Sequence, residues 1–368
     1  MRRSRSPADV RIGVVGCGRA AGSLHLPALA RVRGTRVVAL AEHDPARLSD
    51  LAGRCPGTAT HTDYRRLLDD PAIDLVAVCV PAVQHAEIAT AALRAGKHLF
   101  VEKPLALALD ECDRLVTEAR VAEAAGIRSA VGFNLRSHRL LRQAKTILGA
   151  GTLGDVELVR TLWTADWSGK PRPQWHASRA HGGGALIEIG THLADLWRWL
   201  LDSEVESIQA QSSDPDDGTA TMQARMANGT LVSGVVSQRT VARNEVEVLG
   251  TRGSLRLSCY HGDSLEVVTV AETTAGALRR IRPLVRRASR LPGALLAARG
   301  GGDFMLSYAH QWERILRALA GGGPMPASIQ DGRQAAAAVL AALRSISDGG
   351  AASPAPPPGP LLLEPRAG

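Results

Sequence analysis

Cysteine is scarce and unpatterned in this chain. Cys17, Cys55, Cys79, Cys112 and Cys259 form no CxxC pair and no even-numbered framework, which argues against a zinc ribbon or a disulfide scaffold and suits a reducing compartment. The 11 histidines include no HExxH, and no metal is expected. No apolar run approaches the roughly 18 residues of a membrane span; the longest, Leu75 to Val83 and Ala335 to Leu343, reach nine. The paired arginines of the opening MRRSRS are not followed by the apolar region and small-residue cleavage site of an export signal, because Val10–Val15 runs straight into a glycine-rich turn. A cytoplasmic, membrane-free protein is expected. There is no internal repeat.

Acidic residues are outnumbered, 36 against 44 basic, but the excess is local. Arg2, Arg3 and Arg5 open the chain, and Arg279, Arg280, Arg282, Arg286, Arg287, Arg290 and Arg299 fill a stretch with no acid between Glu272 and Asp303. With those ten set aside, 34 basic residues face 36 acids. The body is close to neutral, and no nucleic-acid footprint is read.

The length of 368 residues points to two domains at about 100 to 200 residues each. From Val10 onward, short apolar runs (RIGVVG, TRVVALAE, IDLVAVCV, KHLFVEK, RSAVGF) alternate with helical stretches, the pattern of parallel strands covered on both faces. Residues 10–130 are therefore expected to form a doubly wound α/β dinucleotide-binding domain of Rossmann type. After about Ala150 the pattern becomes strand alternation (DVELVRTLW, ESIQAQ, ATMQARM, TLVSGVVSQ, NEVEVLG, SLRLSCY), with hairpin signals at Asn228-Gly229 and Gly250 to Gly253. Residues 131–348 are expected to form an α+β domain on a large, mostly antiparallel, open-faced sheet, closed by helices over Met305 to Ala320 and Gln330 to Ser347. That open face predicts a homodimer or homotetramer. Residues 1–9 are read as a disordered basic N-terminus, 277–300 as an arginine-rich insert and 349–368 as a proline-rich tail. The insert reads as a solvated loop or as a lid that engages an anionic group.

Three groups of residues carry chemistry. Gly16-Cys17-Gly18-Arg19-Ala20-Ala21 follows a strand and opens a helix: Gly16 permits the tight turn, Gly18 lets backbone approach a pyrophosphate, and the helix start offers free N–H groups. Glu42 ends the next strand, where a carboxylate accepts adenosine ribose hydroxyls and repels a 2′-phosphate, so NAD is favoured over NADP. Asp44 is the candidate cap of the following helix. Further along, Val80, Pro81 and His85, then Glu102-Lys103-Pro104, fall at strand C-terminal ends, on the nicotinamide side of the crevice. Lastly, in GGGALIEIGTHLADLWRW, Glu188 and His192 stand four apart, so on a helix they share a face and the carboxylate would orient the imidazole as a general base. Trp163, Trp167 and Trp175 precede this segment in a chain with only 3% aromatics, and their flat faces suit the apolar side of a sugar ring. Trp197 and Trp199 read as packing residues.

Taken together, these three motifs in this order resemble the glucose–fructose oxidoreductase / inositol dehydrogenase / MocA (Gfo/Idh/MocA) family of NAD(P)-dependent oxidoreductases. The resemblance runs from residue 10 to 348 and includes GFNLRSH (132 to 138), GTLGDV (151 to 156) and SIQDG (328 to 332). It implies hydride transfer between nicotinamide and a carbinol or keto carbon of a sugar or cyclitol, free, phosphorylated or nucleotide-linked. It further implies that Lys103 bonds the reacting oxygen and relays a proton, that His192 corresponds to the catalytic base, and that Arg136 lies among the substrate contacts. Glu188 stands where the family usually has aspartate, a departure that bears on substrate or on the histidine's surroundings. Two alternatives remain: a glycosidase using NAD for transient oxidation, and a non-catalytic regulator that senses NAD and sugar.

Overall fold

The computed structural model describes residues 9–167, 176, 178–214, 218–260, 265–270, 302–321 and 323–357. Trp175 and the arginine-rich insert lie outside the described residues, as do residues 1–8 and 358–368. Contacts divide the chain into two units. The first comprises residues up to Phe133 together with Tyr308–Arg333, and the second Asn134–Ser307 together with Gln334–Pro357.

The first unit is built on six parallel strands: β1 (Val10–Val15), β2 (Thr35–Ala41), β3 (Ala59–His61), β4 (Leu75–Val78), β5 (His98–Val101) and β6 (Ser129–Val131), in the order β3-β2-β1-β4-β5-β6. Every residue of β4 is buried between β1 and β5, as an unbroken apolar run requires when helices cover both faces. The connecting helices are α1 (Leu26–Leu29), α2 (Pro45–Gly53), α3 (Tyr64–Leu68), α4 (His85–Arg94) and α5 (Leu109–Ala124). Strand order reverses between β1 and β4, and in open α/β sheets ligands bind beyond the strand C-termini at that point. Residues Tyr308–Arg333 also belong to this unit, although the sequence pattern assigns them to the second domain. The reason is a buried aromatic contact: Trp312 lies 4.6 Å, ring centre to ring centre, from Phe100 of β5.

The second unit carries an eight-stranded sheet. Its strands are β7 (Val156–Asp166), β8 (Val205–Ser212), β9 (Thr219–Met226), β10 (Leu231–Ser237), β11 (Arg239–Gly250), β12 (Gly253–Ser258), β13 (Leu265–Thr269) and β14 (Ser353–Pro354), in the order β13-β12-β11-β7-β10-β9-β8-β14. All neighbours are antiparallel except β10 and β7. Helices α6 (Arg139–Gly149) and α7 (Thr191–Leu201) also lie in this unit, and α8 (Gly302–Leu319) and α9 (Ile329–Ser347) each contribute residues to both units. Alternation sorts the sheet into two faces. On one, Val159, Val232, Val236, Met222, Val246 and Val248 are buried, and Trp197 of α7 packs there, its indole N–H donating to Thr161 Oγ1 at 3.1 Å. On the other, Leu231 is 52% and Val235 36% exposed beside the Arg160–Glu247 and Arg256–Glu245 pairs.

Candidate active site

At the end of β1 the chain must turn sharply toward the helix that follows. Gly16 does so at φ +95°, where a Cβ would lie 2.7 Å from the Cys79 carbonyl carbon, so only glycine fits. At Gly18 a Cβ would have no atom within 4 Å, which leaves backbone accessible to a ligand. The helix starts as a π-helical segment, Ala20–His25, and continues into α1; Arg19 is exposed and Ala21 buried. The buried Glu42 carboxylate accepts the Cys17 N–H at 2.9 Å through Oε2 and the Asp44 N–H at 3.1 Å through Oε1, with His43 Nδ1 2.7 Å from Oε1. Asp44 caps α2 by accepting from Ala46 and Arg47, so Glu42 is not the cap and instead holds the turn. An acceptor at the β2 tip, a Cβ-free turn and a helix start fit NAD.

The loops after β4 and β5 are tied together. His85 is only 1% exposed, with Nδ1 2.7 Å from the Pro104 carbonyl and Nε2 2.9 Å from the Val80 carbonyl. We expected His85 to contact cofactor; instead both ring nitrogens meet protein carbonyls, and its visible role is to clamp the Val80-Pro81 loop to the Lys103-Pro104 loop. Burial pushes the His85 pKa below its ordinary value, although both carbonyls and the Glu102 charge pull the other way. Glu102 was likewise expected at the cofactor. Its Oε1 lies 2.7 Å from His25 Nε2, and its Oε2 accepts the Lys103 N–H at 3.0 Å. Burial pushes the Glu102 pKa up, but the His25 hydrogen bond first, then the Lys103 charge and the Lys103 N–H, hold it below the usual carboxylate value. The Lys103 side chain is half-buried.

In the second unit, Glu188 occupies a π-helical turn, Leu186–Gly190, and His192 the first turn of α7. Helical spacing sets Glu188 beside His192, and the structure also pairs its carboxylate with His176 Nδ1, a residue the sequence did not single out. The extra methylene of glutamate relative to aspartate lengthens its reach by about 1.5 Å. The buried His192 ring lies 4.9 Å from Trp163 at 36°, and Trp163 donates its indole N–H to Tyr260 at 2.8 Å while Phe304 meets both rings edge-on. Trp167 meets His176 edge-on at 6.4 Å. Arg136 does not reach outward as a substrate contact: it is buried and forks onto Asp195 of α7 at 2.9 and 2.6 Å. Among the described residues no group of three or more His, Cys, Asp or Glu could hold a metal ion, and no helix is long and apolar enough to cross a membrane.

Comparison with known proteins matches residues 10–128 to the GFO/IDH/MocA oxidoreductase family, NAD-binding Rossmann fold, and residues 141–256 to the GFO/IDH/MocA C-terminal domain. The chain is 27% identical over 352 residues to the myo-inositol 2-dehydrogenase of Thermotoga maritima, covering 92% of this chain and 97% of that one. It is 28% identical over 337 residues to the levoglucosan dehydrogenase of Pseudarthrobacter phenanthrenivorans, covering 81% and 84%. The crystal structure of an oxidoreductase domain protein from Kribbella flavida superposes with a TM-score of 0.82 at 25% identity, covering 95% of this chain and all of that one.

Proposed function

The chain belongs to the GFO/IDH/MocA family of NAD-binding oxidoreductases, and from that premise we propose that it moves a hydride between NAD and a carbinol or keto carbon of a sugar or cyclitol, with Lys103 and His192 handling the proton. The observation that carries this reading lies along the C-terminal edge of the first sheet. Glu42 at the tip of β2 and Lys103 just beyond β5 are three strands apart, about 14 Å at roughly 4.8 Å per strand, a span that a dinucleotide lying across β1 and β4 covers. NAD, when bound, supplies the nicotinamide carbon that takes or gives the hydride.

The remaining tasks fall to the protein. The Lys103 ammonium donates to the oxygen of the reacting carbon, and the Glu102 carboxylate holds the Lys103 backbone N–H. The His192 imidazole accepts or returns the hydroxyl proton, and the Trp163 indole against its face, itself held by Tyr260, limits the ring to one orientation. Trp163 and Trp167 offer flat apolar surface to the C–H face of a sugar, and the Glu188–His176 pair supplies polar atoms for its hydroxyls. The relatives named for inositol and levoglucosan support cyclic polyols as the substrate class. The half-exposed outer face of the second sheet is the proposed surface for self-association.

The test is turnover of NAD or NADP against free sugars, cyclitols and nucleotide-sugars, followed by reduced-nicotinamide absorbance, with thermal shifts reporting binding. NAD and at least one cyclic polyol should raise the melting temperature and give net reduced cofactor. Lys103→Ala and His192→Ala should each keep NAD binding and lose about 10² to 10⁴ or more in kcat/KM, the usual scale of acid–base catalysis. Cleaved glycoside without net reduced nicotinamide would replace this reading with transient oxidation. Binding of NAD and sugar with no turnover would replace it with sensing.

A further inference from the structure

Behind Lys103 lies a buried chain of polar groups that the fold does not need for packing. Glu102 is 8% exposed and His25 0%. Burying an ionised carboxylate costs several kcal/mol unless it is paired and hydrogen-bonded, so each of its partners is informative. On one side, Trp312 Nε1 donates to His25 Nδ1 at 3.2 Å. An indole N–H can only donate, which makes Nδ1 the acceptor and leaves the ring proton on Nε2. That nitrogen is 2.7 Å from Glu102 Oε1. On the other side, Oε2 takes the backbone N–H of Lys103. The imidazole is boxed in by the edges of Phe100, Tyr308 and Trp312 at 5.0, 5.5 and 5.8 Å. A Cβ on Gly132 would lie 2.8 Å from Glu102 Oε1, so the missing side chain there is the room the carboxylate occupies.

We propose that His25 is a positioning residue for the Lys103 step: Trp312 selects its tautomer, its Nε2–H holds the Glu102 carboxylate in place and charged, and Glu102 in turn fixes the Lys103 backbone and backs its ammonium. This inference rests on the catalytic reading of Lys103 given above. Through each turnover the Glu102 carboxylate keeps the Lys103 backbone in place, and His25 keeps the carboxylate in place. The ionisable groups acting on or acted on by Glu102 are His25 from the π-helical segment, Lys103 next to it in the loop after β5, His85 from α4 and Cys79 after β4; His25 donates to the carboxylate through its side chain.

The experiment is the pH profile of kcat/KM for the full-length protein, its His25→Leu, His25→Gln and Glu102→Gln variants, and Lys103→Ala as reference. His25→Leu should lower kcat/KM 10-fold or more, most deeply on the acid side, where a carboxylate without its donor is more easily protonated, with the KM for NAD changed less than threefold. His25→Gln, which keeps a donor, should recover most of the loss. Glu102→Gln should lower kcat/KM at least as far while the acid limb set by the His192 base stays in place, and it keeps the test decisive if His25→Leu fails to fold. A dead Lys103→Ala beside His25→Leu and Glu102→Gln profiles that match the parent would overturn this inference while sparing the proposed function. An active Lys103→Ala would overturn the proposed function itself.

Discussion

Arg136 and Asp195 form a buried pair, with side-chain exposures of 7% and 2%. Removing one partner from such a pair strands the other charge and costs about 3 to 5 kcal/mol, whereas replacing both by apolar groups of similar volume costs far less. Arg136→Met should therefore lower the urea midpoint by that equivalent, and the Arg136→Met/Asp195→Leu double variant should recover most of it; an unchanged midpoint in the single variant would refute the structural role. The pair also illustrates what one sequence can disclose. The place of Glu42 is legible because it is local: it follows β2 directly and accepts a backbone N–H of the glycine turn. Arg136 is not, because its partner lies 59 positions away on another helix. Helical spacing discloses His192 as a neighbour of Glu188, but not His176, which pairs with its carboxylate from 12 positions earlier in the chain.

At the level of elements, periodicity was informative wherever burial was regular. The apolar runs that became β1, β2, β4, β5 and β6 are covered on both faces, and the alternating segments that became β7 to β12 are covered on one. The strand β3 escaped notice because Ala59–His61 is a short edge with no buried side chain, so it leaves no hydrophobic signature. The parallel pairing of β10 with β7 is equally invisible, since pattern fixes which face is apolar and says nothing of neighbour direction. That central pair depends on close approach: a Cβ on Gly234 of β10 would lie 2.7 Å from Trp197 Cζ2 and 3.2 Å from Leu193 Cδ1. Gly234→Ala should therefore overpack the interface of α7 with the sheet and destabilise by about 1 to 3 kcal/mol, read as a lower thermal midpoint. A neutral substitution would mean that Trp197 has room to move.

At the scale of the molecule, four groups among the described residues shape the response to acid. Burial holds the His85 and His98 pKa below the ordinary 6.5; the unfolded chain takes up those protons first, so both contributions are complete above 6.5 and are lost as pH falls below it. Asp74 is held below 3.8 chiefly by the Arg11 side-chain hydrogen bond, and Glu102 below 4.5 by the partners that outweigh its burial. Their contributions are present above those values and disappear as pH falls through the lowered folded pKa. Stability should thus be flat near pH 7, decline below 6.5 at up to about 1.4 kcal/mol per pH unit for the fully buried His85, and fall again at carboxylate pH. Urea midpoints across this range check the order, and a His85→Gln variant whose first decline is as steep as the parent's would refute its assignment.

The two-residue strand β14 has a consequence out of proportion to its length. Ser353 and Pro354 lie along β8, and Ala355 donates onward to the Glu206 carbonyl at 3.1 Å. They close off a margin of the sheet that would otherwise offer a row of unsatisfied amides and carbonyls as a template for strand addition by a foreign chain. Pro354, which has no N–H to present outward, makes the seal a poor template in its turn. A proteolytic nick ahead of Ser353 would therefore do its damage through aggregation, leaving the chemistry of the intact subunit untouched.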